Sequence, residues 1–133
     1  AMEGLAQLLN TVKLIKQNLN PDIELDGILL TMYDGRSNLH KSVAQEVRDC
    51  FPEKTFKTII PRNVKLSECP SHGQPILIYD ITSKGSESYL NVAKEIILQE
   101  RQRDVNADQL SLMDKVVNRD FSNEIPSFDE YQI

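Results

Sequence analysis

Thr58-Ile59-Ile60 is a β-branched run that stops at Pro61. It gives way to Arg62, Asn63, Lys65, Ser67, Glu68, His72 and Gly73. Two cations, a carboxamide, a hydroxyl and an imidazole thus follow in close succession. In open parallel sheets, ligands gather beyond the carboxyl ends of the strands. A loop of this chemistry at a strand end is a surface for a nucleotide base or a phosphate. The plain alternative is an ordinary strand-to-loop transition with solvated charges, since short motifs often match by chance.

The remaining reactive residues do not assemble a catalytic centre on sequence grounds. None of Gly4, Gly27, Gly35, Gly73 and Gly85 sits in a G-x-x-x-x-G-K-[ST] loop. Ser83-Lys84-Gly85 has the letters but not the spacing that lets backbone amides cradle phosphates. There is no G-x-S-x-G elbow, no H-E-x-x-H pair and no C-x-x-C pair. His40 and His72 read as exposed loop histidines, and no metal site is expected. Cys50 reads as a helix-end thiol and Cys69 as a loop thiol, both reduced. A cluster site shared between two subunits is the remote alternative. Asp34, Glu68 and Asp80 are acids in turns, where acids occur for backbone reasons. No catalytic residue is assigned.

The elements that must position these groups follow from periodicity. Leu5, Leu8, Leu9, Val12, Ile15 and Leu19 recur at helical spacing and predict an amphipathic helix over 3–19, ended by Asn20-Pro21-Asp22. Gly27 to Tyr33 is an apolar run that predicts a strand buried on both faces. After the turn at 34–37, Ser37 or Asn38 caps a helix over about 39–51, with Val43, Ala44 and Val47 inward. Phe56 to Ile60 and Ile76 to Tyr79 predict two more strands. A last helix is predicted over roughly 86–103, with Tyr89, Val92, Ala93, Ile96 and Ile97 on its apolar face. This alternation predicts an α/β layered domain with a mostly parallel sheet.

At 133 residues, 40% hydrophobic and 26% charged, the chain is of the size and composition of one globular domain. No apolar run approaches the roughly 20 residues that span a bilayer. The first residues lack the pattern of a signal peptide, so a cytoplasmic location is expected. The net charge of −5 is unevenly placed. Residues 1–103 hold 13 acids and 13 bases, whereas 104–133 hold seven acids and two bases. The chain is therefore divided into a body, 1–103, and an acidic tail, 104–133. A short helix over 107–118 is predicted there, in a terminus that is either disordered or docked by its apolar side. Its acidic polar face excludes a membrane-surface helix.

Four segments, taken in order, resemble one family. They are Ala1 to Thr11, Leu29 to Arg36, Thr58 to Gly73 with its Pro-Arg-Asn and Pro-Ser-His-Gly, and Ile78-Tyr79-Asp80 with Ser83-Lys84-Gly85. Together they resemble the C-terminal half of the ParA/Soj chromosome- and plasmid-partitioning ATPases, as far as about residue 98. The resemblance implies part of a P-loop NTPase fold with a deviant Walker A loop, the P-loop half not being in this chain. It implies ATP and magnesium as cofactors of the intact protein, with neither expected on this piece. It implies that Met32, Pro61, Arg62 and Asn63 surround the adenine base, and that Arg36 and Lys65 contact DNA without sequence preference. Lys65 stands where the family usually carries arginine, which keeps the charge but loses the planar fork. Non-specific DNA and a ParB-like centromere-binding protein are the implied partners of the intact, nucleoid-associated protein. Cys69 stands where alanine is usual and reads as packing variation.

Two functional expectations result. Either the chain is the C-terminal segment of such an ATPase, inactive in hydrolysis alone, or it is a truncated interaction module that binds a partner or an intact ATPase. An unpaired sheet edge would make self-association, or masking by the tail, the expected behaviour. A MinD-like or nitrogenase-iron-protein-like relative is disfavoured by the non-cationic tail and the cysteine arrangement.

Overall fold

The computed structural model describes residues 2–119. Five α-helices occur among them: α1 (Met2–Asn18), α2 (Asn38–Cys50), α3 (Val64–Glu68), α4 (Ile76–Tyr79) and α5 (Lys84–Val117). A 3₁₀ turn, Cys69–His72, follows α3 and closes at Gly73, whose φ of 62° is the left-handed conformation that glycine adopts freely. The chain divides into two compact units, 1–96 and 97–133.

The expected layered α/β domain with a mostly parallel sheet is not what the described residues form. They contain no β-strand, and helix predominates. The two apolar runs do lie side by side and extended, but their ladder is broken twice. Ile28 donates to the Lys54 carbonyl (2.7 Å), and Phe56 donates back to Ile28 (2.9 Å). A regular parallel ladder would next bring the Thr58 N–H to the Leu30 carbonyl. Instead Ile60 donates there (2.9 Å), so Lys57 and Thr58 are surplus. The second break is at Met32, which has a φ of 53°. The Ile60 carbonyl is therefore met by Tyr33 (3.1 Å). Only two isolated parallel bridges remain, Ile28 with Thr55 and Tyr33 with Pro61. Extra residues of this kind are β-bulges, which bend a strand and interrupt its pairing.

The third expected strand, Ile76–Tyr79, is a single helical turn. Pro75 precedes it, and its carbonyl accepts from Ile78 (3.0 Å) and Tyr79 (2.9 Å). Four apolar residues cannot distinguish strand from helix by periodicity.

The helices predicted from spacing fare better. α1 turns Leu5, Leu9, Val12 and Ile15 to its half-buried side and leaves Leu8 and Leu14 exposed. In α2, Ala44 and Val47 are buried, and the Ser37 hydroxyl accepts from the His40 N–H (3.3 Å) as the cap. The core of the first unit joins these two residues with Phe56, Ile60, Cys69, Ile76 and Val92. At the start of α5, Gly85 packs on Leu66, and a Cβ there would lie 2.5 Å from Leu66 Cγ.

α5 does not end near residue 103. No glycine or proline interrupts it between Ser86 and Val117, and charge alone does not stop a helix. In the second unit, every described residue from Glu100 to Arg119 is exposed. Residues 120–133, where the rest of the acidic tail falls, lie outside the described residues. Among the described residues, no helix is long and apolar enough to cross a membrane.

Candidate nucleotide-base site

Pro61 ends the second extended segment, and the Arg62 N–H reaches the Tyr33 carbonyl (2.9 Å). That bond sets Pro61-Arg62-Asn63 beside the bulge at Met32. A cavity of about 290 Å³ results, lined by Met32, Pro61, Arg62 and Asn63 with Thr31, Ser67 and Tyr89 among its other walls. The four residues singled out from the sequence therefore converge on one concavity. Its volume is at the small end of ligand pockets, about 300 Å³ and upward. A site of that size suits a base rather than a whole nucleotide.

Met32 is the only non-glycine residue with positive φ among the described residues, and 64% of it is exposed. A left-handed non-glycine residue costs on the order of 1–3 kcal/mol and persists where its surroundings impose it. Here it accompanies the break in the ladder, and the result is an exposed, adaptable thioether in the wall of the cavity.

Asn63 has two jobs to divide. Its Oδ1 accepts from the N–H groups of Lys65 (3.0 Å) and Leu66 (3.3 Å), which makes it the N-cap of α3. The oxygen is thereby committed to the backbone. The amide NH₂ is the end that can meet a ligand acceptor.

Arg36 lies at a neighbouring cavity of about 440 Å³, shared with Pro61 and Arg62. Its guanidinium makes a bidentate pair with Asp34, Nε to Oδ1 at 3.0 Å and Nη2 to Oδ2 at 2.8 Å. These bonds, with that from the Arg36 backbone N–H, hold the Asp34 carboxyl far below the usual carboxylate range. The same bond raises the pKa of Arg36. Arg36 remains 92% exposed, so the pair is a surface one. Asp34 also donates its N–H to His40 Nδ1 (2.9 Å). His40 is thus a half-buried brace for the turn at 34–37, not the exposed loop residue expected from sequence.

Lys65 is not brought into either cavity. Its Nζ lies 3.3 Å from Glu68 Oε2 and 5.8 Å from the centre of the Tyr79 ring. The Tyr79 hydroxyl donates to the same Glu68 oxygen (2.7 Å), and His72 packs on the Tyr79 ring at 5.0 Å. The Tyr79 hydrogen bond, and then the Lys65 ammonium, lower the Glu68 carboxyl. Glu68 in turn raises Lys65 and Tyr79. The third turn acid, Asp80, accepts from the Thr82 N–H (3.1 Å) and hydroxyl (2.8 Å). All three candidate acids therefore have structural partners. Cys69 is buried, and Cys50 is exposed at the end of α2.

Ser67, part of the polar loop marked in the sequence, lines the base-sized cavity, and so does Tyr89, which was not marked as a site residue. Tyr89 was read only as part of the α5 apolar face, and helical spacing does not separate a core ring from a cavity wall. Among the described residues, no group of three His, Cys, Asp or Glu side chains is placed to hold a metal ion. The lining of this cavity is apolar with a carboxamide, hydroxyls and a guanidinium, and it includes no carboxylate of the kind that holds magnesium.

Residues 3–76 match the CobQ/CobB/MinD/ParA nucleotide binding domain, and the chain belongs to that family. Within it, the chain is a stretch of the ParA/Soj chromosome-partitioning type. It is 56% identical over 97 residues to the chromosome partitioning protein ParA of Myxococcus xanthus, covering 73% of this chain and 34% of that protein. It is 56% identical over 96 residues to the sporulation initiation inhibitor protein Soj of Bacillus subtilis, covering 72% and 38%. With ParA of Caulobacter vibrioides it shares 47% over 107 residues, covering 80% and 40%. The chain thus spans well under half the length of the curated relatives it matches.

Proposed function

We propose that this chain is the C-terminal segment of a ParA/Soj-type ATPase that segregates chromosomes or plasmids. It supplies the adenine-side loop and part of a sequence-independent DNA-binding surface. The observation that carries the reading is the convergence of Met32, Pro61, Arg62 and Asn63 on one base-sized cavity. Met32 and Pro61 offer apolar faces for a ring, and the Asn63 amide offers a donor to a ring nitrogen. Arg36 and Lys65 supply cations, each paired with an acid that a phosphate would have to displace. In a full-length protein of this type, residues beyond these 133 bind the phosphates and magnesium, DNA and a ParB-like protein are the partners, and the nucleoid is the location. The chain alone does not hydrolyse ATP.

Competition for a fluorescent adenine nucleotide tests this reading. ATP and adenosine are expected to displace it while GTP does not, and purified chain is expected to show no ATP turnover. Equal displacement by GTP, or turnover abolished by Asn63→Ala, would contradict it.

The second reading, a stand-alone interaction module, is supported by α1. None of its residues is buried, and Leu8 and Leu14 are more than half exposed. Surface of that kind favours self-association. A molar mass equal to one chain across a wide concentration range in light scattering would count against it.

A further inference from the structure

The surplus pair Lys57–Thr58 interrupts the ladder just before the base-site loop and leaves two N–H groups without strand partners, that of Lys57 exposed and that of Thr58 partly buried. Both find one carboxylate, 38 and 37 residues further along the chain. Glu95 Oε1 accepts from Lys57 (2.6 Å), and Glu95 Oε2 accepts from Thr58 (3.0 Å). The Lys57 carbonyl is held from the other side by Arg48 Nη2 of α2 (3.1 Å). The bulge is therefore clamped between α2 and α5.

We infer that Glu95 is the positioning residue of the base-site loop, an inference that rests on the nucleotide reading above for its functional half. With Lys57 and Thr58 held out, Ile60 pairs with Leu30 and Tyr33, and Pro61 faces Tyr33. Asn63 and Pro61 then stand beside Met32. Without Glu95, two adjacent amides lose a charge-assisted acceptor. The segment regains partners by sliding until the Thr58 N–H meets the Leu30 carbonyl, the bond a regular ladder would make. That slide is two residues, or about 7 Å of strand. A two-residue slide leaves Phe56 in place and keeps the same face inward, with Thr58 taking the position that Ile60 now holds in the core. It does carry Pro61, Arg62 and Asn63 out of register with Met32. Glu95 touches neither base nor phosphate in this arrangement; it acts through the loop.

The experiment uses the whole chain, as wild type, Glu95→Ala and Glu95→Gln, with amide exchange and chemical shifts read by NMR and adenosine as the ligand. In the wild type, the Lys57 and Thr58 amides are expected to be protected. Glu95→Ala should speed their exchange by about tenfold or more, as befits loss of hydrogen bonds to a charged group, while mid-α2 amides keep their rates. Residues 60–63 should shift, and adenosine affinity should fall by about fivefold or more. Glu95→Gln retains one carbonyl acceptor and should lie between, which a merely space-filling role would not produce. Unmoved resonances at 60–63 in Glu95→Ala would overturn the inference. So would an equal loss of protection in α2, which would mark Glu95 as a general stabiliser. If Glu95→Ala does not fold, Glu95→Gln alone decides by the same two readouts. Should wild type fail to bind adenosine, the nucleotide reading falls, and the exchange and shift data still decide the clamp.

Discussion

Asn63 is where stability and recognition meet, and two substitutions separate them. In the structure its Oδ1 caps α3 through Lys65 and Leu66, and its NH₂ is free to face the cavity. Asn63→Ala removes both. Loss of an N-cap costs about 1 kcal/mol, which is about a fivefold change in the folding equilibrium. Asn63→Asp keeps an oxygen for the cap and places it at a helix N-terminus, so stability should stay within about 0.5 kcal/mol of wild type. It loses the NH₂ donor. A lost hydrogen bond of about 0.5–1.5 kcal/mol should weaken adenosine binding by about two- to tenfold. Adenosine is preferred to ATP here because a neutral ligand does not report the added negative charge. Urea denaturation followed by circular dichroism gives the stabilities, and equilibrium titration gives the affinities. Aspartate that destabilises as much as alanine would refute the cap assignment. Aspartate that binds adenosine as wild type does would refute the role of the amide.

Other expectations rest on separate features. Ile60 is 2% exposed in the core, so Ile60→Ala should cost about 2–5 kcal/mol, read as a lower urea midpoint with similar slope. Gly85→Ala should lower thermal stability by forcing a Cβ into Leu66, and adding Leu66→Ala should return part of the loss, a coupling that a double-mutant cycle measures. Glu68 has its pKa lowered in the fold, so its contribution to stability is present above the ordinary glutamate value of about 4.3 and is lost as pH falls through the folded value. Tyr79→Phe removes the principal cause, and a carboxyl titration by NMR should then move Glu68 up toward the ordinary range. Asp34→Asn frees the Arg36 guanidinium and should strengthen DNA binding at low salt. Arg36→Ala should flatten the log–log salt dependence by about 0.9, the slope expected for one phosphate contact.

How far the sequence could be read differs by feature. α1 and α2 were legible because their apolar residues recur at helical spacing over several turns and Ser37 supplies a cap. The segments 27–33 and 56–60 were legible as extended, but the sheet expected of them is reduced to two isolated bridges. Their breaks arise from the left-handed Met32 and from two amides captured by Glu95, and neither has a local sequence signature. A methionine is not a residue one reads as left-handed, and a glutamate on a helix does not announce a backbone partner 38 residues away. Ile76–Tyr79 was too short for its period to be read. For the site, the Pro-Arg-Asn segment marked its own place, and Met32 followed from resemblance. Tyr89 did not stand out, because a ring at helical spacing is common in any fold. The brace from His40 to the Asp34 amide was hidden because a lone histidine carries no indication of its acceptor role.

The central claim is that the Met32–Asn63 surface receives an adenine base. Its most direct measurement is an NMR titration of the chain, with the Met32 methyl and the Asn63 side-chain amide as reporters and adenosine and guanosine as ligands. Adenosine is expected to shift both reporters together, with saturation near millimolar concentration, the equivalent of about 4 kcal/mol, and guanosine to leave them in place. Shifts confined to other surfaces, or equal shifts with both nucleosides, would contradict the account.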